Sequence, residues 1–336
     1  MKKRIICLLT LLAMLLLSLP MHIYANTVNV QEIFEKKVHV TEDGYKLNYR
    51  IYLPEDYSEE KEYPFILFFQ GAGLKGNDNE SQLNAGVQAM FTSSYGKVAQ
   101  SIVVAPQCPL LNPDTAKWVD VPNWVDGCSY STELIPESVH MRAVVDLLGD
   151  IKENYSTDES RWYVTGLSMG GFATWDIIIR HPEMWAAAVP LCGGADYRKA
   201  ELIKDMPIWT FHGLNDPTVP YQGTEKMVNT LKELGSTKIK YNPMANFGHN
   251  IWDAVYPTPT LYTWLFSQSR PVSDTDTDTN IATEPITDEA TVADTTEPQL
   301  QLSTENKGCG GAIGAGTMAV MATAGAAVVA TRKKED

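Results

Sequence analysis

Apolar residues follow two rhythms along this chain. Runs such as Phe65-Ile-Leu-Phe-Phe69 and Ile102-Val-Val-Ala105 have no polar face, the mark of strands covered on both sides. Strand-like runs recur at 37–41, 47–53, 65–69, 101–105, 162–166, 187–191, 208–211 and 238–241. Between the later ones, apolar positions repeat at helical spacing over 83–91, 137–153, 169–180, 222–234 and 252–266. Strands that alternate with helices predict an α/β fold, a mostly parallel sheet with helices on both faces, entered through an antiparallel N-terminal strand pair. Sites in such sheets form beyond the carboxyl ends of the strands.

The pattern also marks off the ends. Residues 1–25 join a basic start (Lys2, Lys3, Arg4) to an apolar run and a small residue at Ala25, and they read as a signal peptide. A membrane anchor is the alternative, but the run is short and Pro20 breaks it. Residues 26–272 have the composition of one globular domain, large enough to bury a core without metals. Residues 273–311 are acidic, rich in Thr and poor in apolar residues, and are expected to be a disordered linker. The stretch 312–331 carries no charge and is long enough to cross a bilayer, with Arg332-Lys-Lys334 in a short tail, 332–336, as a cytoplasmic stop. Its weak Ala and Gly hydrophobicity leaves a disordered or cleaved tail as the other reading.

The overall charge of −14 argues against nucleic acid as a partner. An exported chain allows disulfides, and Cys108, Cys128 and Cys192 in the domain permit at most one bridge, or three half-buried thiols. The acidic repeat from Asp274 hints at a calcium loop. Thr279 stands where the turn glycine belongs and Pro285 where the bidentate Glu belongs, so no metal is assigned.

The chemistry concentrates at Gly166-Leu-Ser-Met-Gly-Gly171. Strand formers (Trp162, Tyr163, Val164) precede it and a helical pattern follows at once. A serine on so sharp a turn stands clear of the sheet only if the residues two before and two after it lack side chains, which marks Ser168 as a candidate nucleophile. Its base should be a histidine later in the chain, after a strand; His249 in Phe247-Gly-His-Asn250 fits, whereas His212 reads as a brace of its own loop. For the acid, Asp216 follows the strand at 208–211, with Asp196 and Asp253 as alternatives. The glycine-rich loop Gln70-Gly-Ala-Gly-Leu-Lys-Gly76 follows the strand at 65–69, so the backbone N–H groups of Ala72 and Met169 are assigned to an oxyanion hole. The same loop lacks the ending and spacing of a nucleotide-phosphate cradle.

Phe68-Phe-Gln-Gly-Ala-Gly73, Ala105-Pro-Gln-Cys-Pro109, Gly166-Leu-Ser-Met-Gly-Gly171, Leu191-Cys-Gly-Gly-Ala-Asp196, Phe211-His-Gly-Leu-Asn-Asp216 and Gly248-His249 together resemble the secreted α/β-hydrolase esterases. Within these the chain is similar to the feruloyl and acetyl-xylan esterase, polyhydroxybutyrate-depolymerase-like group, and to the predicted-peptidase branch related to prolyl oligopeptidase. The resemblance implies an α/β-hydrolase fold and a serine hydrolase needing neither metal nor cofactor, with the triad Ser168, Asp216 and His249. Gln70 departs from it, because the family usually has His before the Gly of this loop.

Between the strand at 101–105 and the helix at 137–153 runs a long insertion, 107–135, carrying Trp118, Trp124 and Tyr130. Trp118 and Trp124 are taken as candidate substrate-binding residues, rings for a sugar or an aromatic acyl group; their alternative is to pack the insertion down. The expectation is an extracellular hydrolase of carbohydrate-linked acetyl or feruloyl esters, held at the membrane by its C-terminal segment. A prolyl-oligopeptidase-type peptidase is the other reading, although the chain has no room for a gating domain.

Overall fold

The all-apolar runs occupy the middle of the sheet, as burial on two faces requires. In the computed structural model, which describes residues 28–93, 95–124 and 130–272, eight strands lie in the order β1-β2-β4-β3-β5-β6-β7-β8. They are β1 Glu35–Val40, β2 Lys46–Tyr52, β3 Tyr63–Phe69, β4 Ile102–Pro106, β5 Thr157–Leu167, β6 Ala187–Leu191, β7 Ile208–Gly213 and β8 Ile239–Met244. β3 to β8 are parallel to one another, and β2 alone runs antiparallel, to β1 and to β4. The assignments made for residues 1–25, 273–311, 312–331 and 332–336 and for Cys128 lie outside the described residues. Among the described residues no helix is long and apolar enough to cross a membrane.

The helices are α1 Val30–Ile33, α2 Val87–Ser93, α3 Tyr95–Val98, α4 Val139–Asn154, α5 Met169–Arg180, α6 Gln222–Glu233, α7 Trp252–Val255 and α8 Pro259–Leu265. The pleat of β3 sorts its side chains between two cores. Phe65, Leu67 and Phe69 join α4, α5 and α6, while Ile66 and Phe68 join α1, α2, α3, α7 and α8 on the other face. Helices therefore cover both faces, and α4 starts cleanly because Ser138 caps it through Met141 N at 3.1 Å.

Two differences from the sequence pattern have local causes. The helix expected over 252–266 is two, α7 and α8, since Pro257 has no N–H to continue the first and Pro259 is suited to open the second. β5 begins at Thr157, earlier than its apolar run, because Thr157 pairs with Tyr63 through a stretch too polar to read as strand.

What positions the site is backbone crowding at the strand ends. A Cβ on Gly170 would lie 2.0 Å from Phe69 O, and one on Gly166 would lie 2.4 Å from Gly170 O, so the start of α5 rests directly on the end of β3. Gly149, inside α4, has nothing within 4 Å of such a Cβ. Gly170→Ala is expected to cost about 3 kcal/mol or to prevent folding. Gly149→Ala should stabilise by up to about 1 kcal/mol. Urea unfolding of the two variants checks the contrast, and equal midpoints would show that the crowding is relieved elsewhere.

Candidate active site

Ser168 sits between β5 and α5 at φ 57°, ψ −120°, a left-handed conformation that a non-glycine residue adopts only where the surroundings impose it. They do so through hydrogen bonds: Ser168 N donates to Leu191 O at 2.9 Å, and Gly171 N and Phe172 N donate to Ser168 O at 2.8 and 3.1 Å. The side chain is left half-exposed, at the end of β5.

His249 comes from the loop after β8 and Asp216 from the loop after β7. The two loops touch because Gly213 has no side chain; a Cβ there would lie 2.0 Å from Gly248 O. Asn215 N donates to Phe247 O at 3.0 Å and locks the contact. As a result Ser168 Oγ lies 2.8 Å from His249 Nε2, and His249 Nδ1 lies 2.6 Å from Asp216 Oδ2. With Nδ1–H donating to the carboxylate, Nε2 carries the lone pair that faces the serine hydroxyl, which is the tautomer a general base needs.

The Asp216 side chain has no solvent exposure. Burial would raise its carboxyl, but hydrogen bonds from His212, His249 and the N–H groups of Val219 and Thr218 outweigh it and hold the group well below the usual carboxylate range. The backbone donors reach Oδ1 at 2.8 Å from Thr218 and 2.9 Å from Val219. His212 is fully buried, with Nε2 3.3 Å from Asp216 Oδ2 and 2.9 Å from Val219 O. It braces the Asp216 loop from beneath.

The other candidates are occupied elsewhere. Asp196 is buried against Arg198 and the N–H and hydroxyl of Thr132, and the exposed Asp253 accepts from Asn250. His39 lies between Asp146 and Asp150, His140 meets Tyr45 and His181 meets Glu137. Among the described residues, Cys192, Asp216 and His249 are the one group of donor atoms near enough to share a metal ion, all within 4.8 Å. The acid and the ring are already bonded to each other. Burial pushes the Cys192 thiol up to about 12, and its S–H donates to His249 O at 3.4 Å, so this donor set suits a hydrogen-bonded line better than a cation. Cys108 is likewise a buried free thiol.

The loop after β3 lies against Ser168, since a Cβ on Gly71 would stand 3.5 Å from Ser168 Cβ. Ala72 opens the 3-10 turn Ala72–Leu74 and Met169 opens α5. First-turn N–H groups have no partner within their own helix, so both are available to an anion. Gln70 supplies the brace: it is fully buried, and Nε2 donates to Leu74 O at 2.8 Å across the turn.

Trp118 requires a correction. Its ring is fully buried, edge-on to Phe69, and its indole N–H donates to Gln70 O at 3.2 Å. It fastens the insertion to the 70–76 loop and offers no exposed face to a ligand. Trp124 is half-buried, edge-on to Phe172 one turn beyond Ser168, with Lys117 Nζ 5.3 Å from its ring centre. The insertion is anchored through its backbone: Arg180 donates to Ile135 O at 2.7 Å and Thr132 O at 3.3 Å, and Arg198 donates to Tyr130 O. Trp252, which the sequence pattern marks only as the start of a helix, stands edge-to-face with His249 at 5.5 Å.

Comparison with known proteins gives a consistent result. The Esterase family model, described as "Putative esterase", matches residues 42–217, a stretch that contains Ser168 and Asp216 and stops short of His249. A bifunctional acetylxylan esterase/xylanase of Neocallimastix patriciarum is 26% identical over 138 residues, 41% of this chain and 20% of that protein. A poly(3-hydroxyalkanoate) depolymerase C of Paucimonas lemoignei is 32% identical over 114 residues, 34% of this chain and 26% of that one. The matched stretches thus span about a quarter or less of these relatives. Among solved structures, a thermostable esterase is 34% identical with a TM-score of 0.64, covering 72% of this chain and 64% of its own. A ferulic acid esterase, 16% identical with a TM-score of 0.52 over 69% of this chain and 98% of its own, shares the fold.

The depressed Asp216 carboxyl sets a pH dependence of stability. A carboxyl lowered in the folded state adds stability above its unfolded value, about 3.9, and loses it as pH falls through the folded value. Asp216→Asn should therefore melt below the wild type at pH 6, with the gap in Tm closing steadily below pH 4. A gap that stays constant to pH 2 would show that the carboxylate is not stabilised as described.

Proposed function

The chain belongs to the Esterase family, and from that premise we propose that it is a serine carboxylic ester hydrolase acting on carbohydrate-linked esters. The observation that carries the mechanism is the unbroken line from Ser168 Oγ through the His249 ring to Asp216, at 2.8 and 2.6 Å. Ser168 attacks the ester carbonyl while His249 Nε2 takes its proton. Asp216 fixes the tautomer and stabilises the imidazolium that forms. The N–H groups of Ala72 and Met169 receive the negative oxygen of the tetrahedral intermediate. His249 then protonates the departing alcohol, and water, activated by the same ring, releases the acid from Ser168.

The carbohydrate reading draws on the acetylxylan esterase among the relatives and on the half-buried Trp124 beside the nucleophile helix. The leader-like residues 1–25 and the charge-free stretch 312–331 support an enzyme held at the outer cell surface.

Turnover of acetylated xylan, feruloyl esters, short nitrophenyl esters and a proline-containing peptide anilide by the full chain tests the proposal. Ester turnover with an inert anilide is the expected result, and anilide cleavage as fast as ester cleavage would replace the esterase with a peptidase. Ser168→Ala and His249→Ala should each lower kcat at least about a thousandfold with an unchanged melting curve. A folded Ser168→Ala variant with wild-type turnover would remove the mechanism.

A further inference from the structure

Acyl transfer sets the two halves of an ester on different sides of the serine. The proton that His249 takes from Ser168 Oγ goes to the alcohol oxygen as the bond between that oxygen and the carbonyl carbon breaks and the bond from Oγ to carbon forms. The alcohol oxygen must then lie within hydrogen-bonding reach of His249 Nε2. Side chains that flank the His249 ring are walls for the alcohol half.

An aromatic residue flanks it: Trp252 stands perpendicular to the ring at 5.5 Å between centres. Trp252 is the first residue of α7 and is only half-buried; one part packs on the core cluster beneath α7 and α8, and exposed Asp253 and Ala254 follow it. Trp175, by contrast, is fully enclosed, and its indole nitrogen is buried without a partner. The Trp252 indole N–H makes no hydrogen bond among the described residues and is not among their buried unsatisfied atoms, so it is a donor open to solvent. An indole in this state presents an apolar surface and one free donor next to the point where the alcohol leaves.

We propose that Trp252 is the platform for the alcohol half of the substrate and that this half is a sugar ring. A pyranose has a face of C–H groups that matches an indole surface, and hydroxyls around its edge that accept from an indole N–H. The proposal rests on the carbohydrate-ester reading and adds the residue that recognises the carbohydrate.

Kinetics with two alcohols and one acyl group test it. Wild type, Trp252→Ala and Trp252→Phe are compared on an acetylated xylo-oligosaccharide and on ethyl acetate, which form the same acetyl-enzyme. Trp252→Ala should lower kcat/KM for the sugar ester about tenfold, leave ethyl acetate within about twofold, and weaken inhibition by the unesterified xylo-oligosaccharide by a similar factor. Trp252→Phe should recover part of the loss and guards against a folding defect in the alanine variant. Equal losses on both substrates would reduce Trp252 to a support for His249 and overturn the proposal. A wild-type preference for the sugar ester that survives Trp252→Ala would overturn it alone, whereas a wild type with no such preference would remove the carbohydrate reading and the proposal with it.

Discussion

Behind Ser168 several backbones meet at distances that leave no room for a side chain. Phe69 O presses on Gly166 and Gly170, and Leu191 O lies where a Cβ on Gly171 would be, at 2.2 Å. The ends of β3, β5 and β6 are therefore fixed relative to one another by contact between main chains, which cannot change rotamer. The strained serine, the 70–76 loop and the first turn of α5 all inherit their positions from this contact. A left-handed serine is costly in isolation, by about 1–3 kcal/mol, and persists because this packing allows no other path.

A second close approach, Gly213 against Gly248, does for Asp216 and His249 what the first does for Ser168. It brings a buried carboxylate under an imidazole without stranding a charge. Two backbone N–H groups and two imidazoles surround Asp216, so the cost of taking it out of water is offset where it arises. Cys192 and His212 lie just beneath, one joined to the carbonyl of His249 and the other close to Asp216. The line from Ser168 to Asp216 thus stands on a buried, hydrogen-bonded floor, which holds donor and acceptor within bonding range.

Much of this was legible in the sequence, for steric reasons. Glycines at fixed distances from a serine, between an apolar run and a helical period, leave few other structures open. The inner strands β3, β4 and β6 lie on apolar runs, because burial on two faces cannot be disguised by surface choice, whereas the edge strands β1 and β8 are polar and partly exposed. Boundaries were less legible: Thr157–Leu167 begins in a polar stretch that is strand only because Tyr63 pairs with it. Trp118 and Trp124 look alike as letters in one insertion, and only contacts from distant segments decide that the first is enclosed and the second half-open. The bracing role of Gln70 was hidden for the same reason, since its partner, Leu74 O, is a main-chain atom that any residue would supply.

The anchoring of the insertion has a consequence for how such a chain can diverge. Arg180 and Arg198 hold it by the carbonyl oxygens of Tyr130, Thr132 and Ile135, and Asp196 holds it in part by the amide of Thr132. Groups of this kind are present whatever the side chain. Mutation can therefore rewrite the residues that this segment displays beside the 70–76 loop and α5 while the clamps that seat it go on working, and a lineage can explore new specificities without first rebuilding the scaffold.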